Sequence, residues 1–224
     1  MATNPNPNVV NCKVVLLGET TVGKTSIISR FINDSFDPNC ITSLGASFIS
    51  KTIYVPEHKK TVKFDIWDTA GQEKYRSLAR IFYKDAVIII FVYDITKKST
   101  FDEIKKYWVG QIKDFGIQNP ILALAANKSD LYDKEQVDEK EAKEYADSIG
   151  AVFKSTSALS NTGIDILFNH LGRKFLDPKY DYQEEDKKCA EEYQKEQERL
   201  NGGGKIKLEN ANKNNNAGGK NCNC

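Results

Sequence analysis

The sequence predicts an α/β protein of the P-loop type, in which a six-stranded, mostly parallel sheet with one antiparallel strand carries helices on both faces. Three short apolar runs, 13–17, 86–93 and 121–126, are typical of strands buried on both faces of a parallel sheet. Apolar residues recur at helical spacing between Phe101 and Phe115 and between Ile164 and Phe175. Strands that alternate with helices form right-handed βαβ units, which place helices on both sides of the sheet.

One pair of predicted strands breaks this alternation. Residues 48–55 and 61–67 are separated only by 56–60, which is too short for a helical crossover. We therefore expect an antiparallel hairpin here. In its second strand Val62, Phe64 and Ile66 alternate with polar residues, so they must face the core and leave Trp67 on the opposite face.

Composition limits the class of protein. The 224 residues contain 32 Lys and Arg against 31 Asp and Glu, and this balance argues against a protein that binds duplex nucleic acid. The longest clean apolar run is too short to span a bilayer, and the amino terminus is neither basic nor apolar. Five cysteines without metal-ligand spacing favour a reducing compartment. We expect a soluble intracellular protein.

The domain organisation follows from a change in composition along the chain. Residues 1–10 are expected to be flexible, 11–176 to form one domain, and 177–224 to form a flexible tail. Within the tail, 183–200 is mostly charged and is either a solvated helix or disordered. Residues 201–224 contain eight Asn and five Gly, a composition that buries too little apolar surface to offset ordering.

A phosphate-binding loop follows the first strand. Residues 18–25 match the pattern G-x-x-x-x-G-K-[ST], and a helical segment with Ile27, Ile28 and Phe31 comes next. In this context backbone N–H groups and the helix amino terminus face phosphate oxygens. Lys24 would reach the β- and γ-phosphates, and the Thr25 hydroxyl would ligate Mg²⁺.

Two further motifs follow strands of the same sheet. Asn127, Lys128 and Asp130 come directly after the run 121–126, and a carboxylate at Asp130 can accept the N1–H and 2-amino hydrogens of guanine, which adenine does not offer. The segment 68–72 ends the hairpin. There Asp68 can hold the Mg²⁺ water shell, the N–H of Gly71 can approach the γ-phosphate, and Gln72 can orient an attacking water.

With Trp67 and the run 74–78, these ordered motifs make residues 11–176 resemble a Ras-superfamily small GTPase, and more narrowly the Rab family. Segments 44–48 and 141–149 resemble the early-endosomal group. The resemblance implies that Phe36 packs against guanine, that Ser157 and Ala158 back the base through the main chain, and that Ser43 ligates Mg²⁺ and the γ-phosphate. The residues predicted to bind nucleotide are Gly18, Glu19, Thr20, Thr21, Val22, Gly23, Lys24, Thr25, Ser26, Phe36, Ser43, Gly71, Asn127, Lys128, Asp130, Ser157, Ala158 and Leu159. The predicted metal ligands are Thr25, Ser43 and Asp68, and the predicted catalytic residue is Gln72.

The sequence departs from the family pattern at several of these positions. Thr20 and Thr21 stand where glycines are common in Ras, although small polar residues are often found there in Rabs, and their bulk near the γ-phosphate is expected to slow hydrolysis. Ser43 stands where the family has Thr, so it keeps the hydroxyl but lacks a methyl group. Leu159 stands where the family has Lys. These changes leave two functions open: a GTP/GDP switch in vesicle trafficking, of endocytic type, that hydrolyses GTP, or a binding module with negligible hydrolysis, against which Gln72 argues. A P-loop kinase or ATPase would need adenine selectivity, which conflicts with Asp130.

The partner surfaces are predicted at the hairpin and at the tail. Phe48 and Trp67 lie on the polar face of the hairpin, and with Phe82, where many Rabs have Tyr, they form an expected effector patch. The resemblance also implies an exchange factor, an activating protein, a GDP-dissociation inhibitor and a monomeric state. Cys222 and Cys224 resemble the Cys-x-Cys terminus on which Rabs receive two geranylgeranyl groups, and two lipids anchor a protein stably where one does not. We expect the cytoplasmic face of intracellular membranes, with endosomes favoured and cycling through the cytosol.

Overall fold

The fold is described from a computed structural model, which covers residues 8–38, 47–68, 84–114, 117 and 119–202, with side chains as far as 198. Its six strands form one sheet in the order β2-β3-β1-β4-β5-β6, in which β2–β3 is antiparallel and every other pair is parallel. The predicted fold class is therefore confirmed. The strands are β1 Val9–Leu17, β2 Ser47–Val55, β3 Lys60–Asp68, β4 Ile88–Asp94, β5 Ile121–Asn127 and β6 Val152–Thr156.

The first strand is longer than the apolar run that predicted it. β1 begins at Val9 rather than at Lys13, because Val9 and Asn11 pair with Thr61 and Lys63 of β3. Asn11 is exposed and interrupts the apolar pattern, so hydrophobicity alone indicates only the buried half of this strand.

The described helices are α1 Lys24–Asn33, α2 Lys98–Glu103, α3 Val109–Asp114, α4 Glu139–Ser148, α5 Ile164–Leu176 and α6 Tyr182–Gly202. Short 3₁₀ segments cover Pro56–His58 and Ser129–Lys134. A π-helical turn, Ile104–Trp108, joins α2 to α3 where the apolar spacing predicted one regular helix. Phe101, Ile104, Trp108 and Ile112 are buried as predicted, whereas Phe115 lies outside the described residues.

The antiparallel hairpin has the predicted parity. Val62, Phe64 and Ile66 have no exposed surface, and β2 pairs Phe48 with Trp67. On this inner face the ring of Phe64 contacts a stacked pair formed by Phe31 and Phe168, whose centroids lie 3.7 Å apart. Phe31 belongs to α1 and Phe168 to α5, so these two helices cover the sheet face that carries Val62, Phe64 and Ile66.

The opposite face of the sheet has its own core. Side chains of β1, β4, β5 and β6 pack there against α2, the π turn, α3 and α4, and Trp67 packs against the same cluster while remaining half-exposed. Asp138 caps α4 by accepting hydrogen bonds from the N–H groups of Lys140 and Glu141 at 2.8 and 3.2 Å. Helices therefore flank both faces, as predicted.

The described chain divides into two units after Lys179. In the second unit the alternative left open for 183–200 is resolved, because α6 runs from Tyr182 to Gly202. Its polar surface includes an ion pair between Lys188 and Glu184 at 2.7 Å, one helical turn apart. Among the described helices, none is both long and apolar enough to cross a bilayer.

Candidate nucleotide-binding site

The phosphate loop occupies the turn between β1 and α1 and is pressed against two neighbouring strands. A Cβ atom built on Gly18 would lie 2.2 Å from the carbonyl oxygen of Val92, and one on Gly23 would lie 2.3 Å from Asn127 Nδ2. Both glycines also have positive φ angles, 151° and 97°. Glycine is therefore required at these two positions by close approach as well as by backbone conformation.

Lys24 is buried at the centre of this loop. Its side chain has only 6% of its surface exposed, and Nζ donates hydrogen bonds to the carbonyl oxygens of Gly18 and Glu19, each at 2.9 Å. Burial lowers the pKa of Lys24 to about 8, although the nearby Asp68 and Glu19 carboxylates act to raise it. An anion held by the loop would satisfy this buried ammonium group better than the two carbonyls do.

Two threonines of the loop, Thr20 and Thr21, are in energetically unfavourable local environments. Thr21 adopts a left-handed conformation with φ 68°, which is uncommon for a β-branched residue. The hydroxyl oxygen of Thr20 is buried and has no hydrogen-bond partner among the described residues. The bulk predicted at these positions is therefore accompanied by a strained backbone and an unpaired polar atom.

The predicted metal ligands Thr25 and Asp68 lie together. Thr25 Oγ1 donates a hydrogen bond to Asp68 Oδ2 at 2.7 Å, which joins the first turn of α1 to the end of β3. Asp68 is 3% exposed, and Lys24 is close enough to interact with its charge. A hydroxyl and a carboxylate are hard oxygen ligands, so this pair fits Mg²⁺ shared with phosphate oxygens.

The guanine motif is tied to the phosphate loop by Asn127. Its Nδ2 donates to the carbonyl oxygen of Val22 at 2.7 Å, and its Oδ1 accepts from Thr156 Oγ1 at 3.3 Å. Lys128 has a left-handed backbone and forms an ion pair with Asp94 Oδ2 at 2.7 Å.

Asp94, at the end of β4, is a site residue that the sequence interpretation missed. It is 1% exposed; burial acts to raise the pKa of Asp94, but hydrogen bonds from Lys128 and Thr96 hold it below its ordinary value. Its position directly after the apolar run 86–93 was the available signal, because ligand-binding residues follow the carboxyl ends of parallel strands.

Asp130 and the loop after β6 come together at the same edge of the sheet. Ser157 Oγ donates a hydrogen bond to Asp130 Oδ1 and accepts one from the N–H of Ser160 at 3.1 Å. Ser157 and Ala158 are buried, Leu159 is 56% exposed, and Phe36 is half-buried after α1. The structure thus places Asp130 beside the loop that was predicted to back the base.

The two described members of the predicted effector patch are in contact. Phe48 is 55% exposed, and its ring meets that of Trp67 edge to face, with the centroids 5.4 Å apart. The predicted residues Ser43, Gly71, Gln72, Phe82, Cys222 and Cys224 lie outside the described residues.

Comparison with known proteins gives the family. A model of the Ras family matches residues 13–177. Human Rab-22A is 48% identical over 162 residues, which cover 72% of this chain and 82% of the relative. The chain belongs to the Ras family, as a Rab GTPase. Human Rab-31 is 48% identical over 168 residues (74% of this chain and 85% of the relative), and Rab5A of Oryza sativa subsp. japonica is 42% identical over 176 residues (79% and 85%).

This membership confirms several predictions made from the sequence. The Rab GTPase hydrolyses GTP to GDP and phosphate and acts as a switch in endocytic vesicle trafficking. Like other Ras-family members it binds guanine nucleotide. Nothing in the comparisons supports the alternative of a binding module with negligible hydrolysis.

Proposed function

We propose that this Rab GTPase holds GTP along the carboxyl edge of its sheet and hydrolyses it with Gln72 as the catalytic residue. The observation that carries this proposal is the convergence at that edge of four separate segments: the loop with Lys24 and Thr25, the end of β3 with Asp68, the motif from Asn127 to Asp130, and the loop with Ser157. Together they offer complementary groups to the phosphates and to the base.

The base would be read by Asp130. Its carboxylate accepts the N1–H and 2-amino hydrogens of guanine, and a nucleotide without these donors would leave the carboxylate unpaired. The bond from Ser157 to Asp130 supports this role, because it fixes the carboxylate beside the loop whose main chain backs the base. Phe36 would pack against the ring edge.

The metal site would be completed by the bound nucleotide. Thr25 and Ser43 would ligate Mg²⁺ directly, and Asp68 would hold its water shell. When bound, the ion neutralises charge on the β- and γ-phosphates. Lys24 would contribute a further positive charge at the same oxygens, supplied by the chain itself.

Hydrolysis would depend on Gln72, whose amide can both donate to and accept from the attacking water. Ser43 and Gly71 would contact the γ-phosphate, so that its departure releases both of their loops. An activating protein would supply an arginine finger to stabilise the charge of the transition state. An exchange factor, a GDP-dissociation inhibitor and effectors complete the proposed set of partners.

The catalytic role of Gln72 is tested by single-turnover hydrolysis of bound GTP. Gln72→Leu should bind GTP normally but hydrolyse it at least about tenfold more slowly, because leucine cannot orient water. Gln111→Leu is a matched control, since Gln111 lies on α3, which contributes no residue to the proposed site. Hydrolysis of GTP at the wild-type rate by Gln72→Leu would remove Gln72 from the mechanism.

We propose further that the tail anchors the protein to the cytoplasmic face of endosomal membranes through geranylgeranyl groups on Cys222 and Cys224. A GDP-dissociation inhibitor would cover the lipids when the GDP-bound protein enters the cytosol. Replacing both cysteines by serine should leave nucleotide binding intact and shift the protein from the membrane fraction to the soluble fraction, whereas one replacement should give weak association. If the double variant sediments with membranes as the wild type does, the anchor lies elsewhere.

A further inference from the structure

Arg30 connects helix α1 to the loop that follows β6. It lies near the end of α1, six residues after Lys24, and its side chain is 14% exposed. Arg30 Nε donates a hydrogen bond to the carbonyl oxygen of Ala158 at 2.9 Å, and Nη2 donates to that of Leu159 at 3.4 Å. The two acceptors are separated from Arg30 by more than 120 residues of chain.

The other side of the guanidinium is held by the end of its own helix. Nη1 donates to the carbonyl oxygen of Asp34 at 2.7 Å and to its carboxylate at 3.1 Å. Asp34 ends α1 in a left-handed conformation, and its carboxylate also accepts a hydrogen bond from Asn161 Nδ2 at 2.9 Å. Arg30, Asp34 and Asn161 therefore tie the end of α1 to the loop 158–161 at both ends of that loop.

The same loop is already fixed on its other side. Ser157 and Thr162 exchange two backbone hydrogen bonds of 2.9 and 3.0 Å, and Ser157 Oγ bonds to Asp130. Because Arg30 donates to the carbonyl oxygen of Ala158, the main chain of this loop is held at one position relative to α1. The helix itself carries Lys24 and Thr25 in its first turn, so it links the two ends of the proposed nucleotide site.

We propose that Arg30 is a positioning residue for the guanine base: it holds the main chain of Ala158 and Leu159 against α1 and thereby slows nucleotide release. The inference rests on the proposed placement of guanine between Asp130 and this loop. The arginine fork is needed because the carbonyls and Asp34 lie in different directions, and a lysine ammonium would satisfy them less completely.

The experiment measures dissociation of fluorescent N-methylanthraniloyl GDP from full-length protein, chased by excess GDP, in Mg²⁺ and again in EDTA. Arg30→Met should release GDP about tenfold faster than the wild type, since hydrogen bonds from a charged donor are lost. Arg30→Lys should fall between the two. Arg173→Met is the matched control, because Arg173 pairs with Glu57 at 2.9 Å, away from the loop.

Two measurements distinguish a positioning role of Arg30 from a general loss of stability of the fold. The ratio of the EDTA rate to the Mg²⁺ rate should match the wild type, because Thr25 and Asp68 are untouched. Asn161→Ala should accelerate GDP release when it is introduced alone. Introduced together with Arg30→Met it should increase the release rate by a smaller factor, since both residues bond to Asp34.

The inference would be overturned if Arg30→Met released GDP at a rate within about twofold of the Arg173→Met control. A difference that small is less than the loss of one hydrogen bond to a charged group implies. A collapse of the ratio between the EDTA and Mg²⁺ rates would overturn it as well. If Arg30→Met does not fold, Arg30→Lys and Asn161→Ala carry the same test. Asp130→Asn tests the proposed placement of guanine separately: if it releases GDP as slowly as the wild type, the proposed function fails. Fast release from Asp130→Asn with slow release from Arg30→Met contradicts the inference about Arg30 alone.

Discussion

At the scale of single residues, the site depends on charges that are buried before any ligand arrives. Lys24 and Asp68 are both more than nine-tenths covered, and Asp94 is paired with Lys128. Such groups are costly to bury, and they are tolerated when a partner compensates them. Among the residues that the structure describes, the partners of Lys24 are carbonyl oxygens and nearby carboxylates, so its protonation state should respond strongly to bound phosphate.

This response can be measured as proton uptake. In the nucleotide-free protein burial lowers the pKa of Lys24 to about 8, and phosphate charge must raise it on binding. GDP binding should therefore take up about half a proton at pH 8, and affinity should fall as the pH rises above 8. Calorimetric titration in two buffers of different ionisation enthalpy measures the uptake. Lys24→Arg should abolish it, because arginine stays protonated; no uptake by the wild type would contradict the assignment.

Local motifs explain why most site residues could be predicted from the sequence. Lys24, Thr25, Asp68, Asn127 and Asp130 each belong to a motif that follows a predicted strand, and the structure places these motifs at one edge of the sheet. Arg30 could not be found in this way. Its acceptors are carbonyl oxygens in a distant loop, and main-chain acceptors leave no signature in the sequence that reaches them.

At the scale of elements, the β2–β3 hairpin has one buried face and one more exposed face, because its residues alternate between the two sides of the sheet. Phe64 faces inward with no exposed surface, whereas Phe48 faces outward with 55% exposed. On the outer face Phe48 is exposed to solvent, while Trp67 beside it also packs against the core cluster. That parity was predictable because strand alternation has an exact period of two residues.

Two phenylalanines of this hairpin give a matched test. Phe64→Ala should reduce the free energy of unfolding by about 3–5 kcal/mol, because it leaves a cavity beside the stacked rings of Phe31 and Phe168. Phe48→Ala should cost about 1 kcal/mol or less, as for most surface substitutions. Urea unfolding at saturating GDP and Mg²⁺ provides the comparison. Equal losses from the two substitutions would show that Phe48 is part of the core.

Other elements could not be predicted in detail. The π turn Ile104–Trp108 keeps Phe101, Trp108 and Ile112 buried, so its apolar pattern is compatible with an ordinary helix. A helix that gains one residue in a turn shifts its surface only locally. In α6 the weak apolar pattern left helix and disorder equally open, and the structure has a helix with an exposed ion pair.

At the scale of the whole molecule, the proposed ligand joins parts of the chain that are far apart in sequence. The residues that would contact it run from Gly18 to Leu159, and they are brought together only by the folded sheet. The unfolded chain therefore offers no comparable site. Binding should stabilise the fold by about 4 kcal/mol when free GDP exceeds its dissociation constant a thousandfold.

This linkage also predicts how the metal contributes. GDP with Mg²⁺ should raise the unfolding temperature by about 10 °C, since each kcal/mol shifts a domain of this size by roughly 2–4 °C. EDTA should remove the part of this increase in unfolding temperature that depends on Mg²⁺ held near Thr25 and Asp68. These two residues share a 2.7 Å hydrogen bond. Thr25→Ala should keep some stabilisation by GDP but respond less to EDTA than the wild type does, because the ion has lost one of its direct ligands and is held more weakly. Thermal unfolding followed by circular dichroism measures each case. If EDTA lowers the unfolding temperature of Thr25→Ala as far as that of the wild type, the metal is held by other residues.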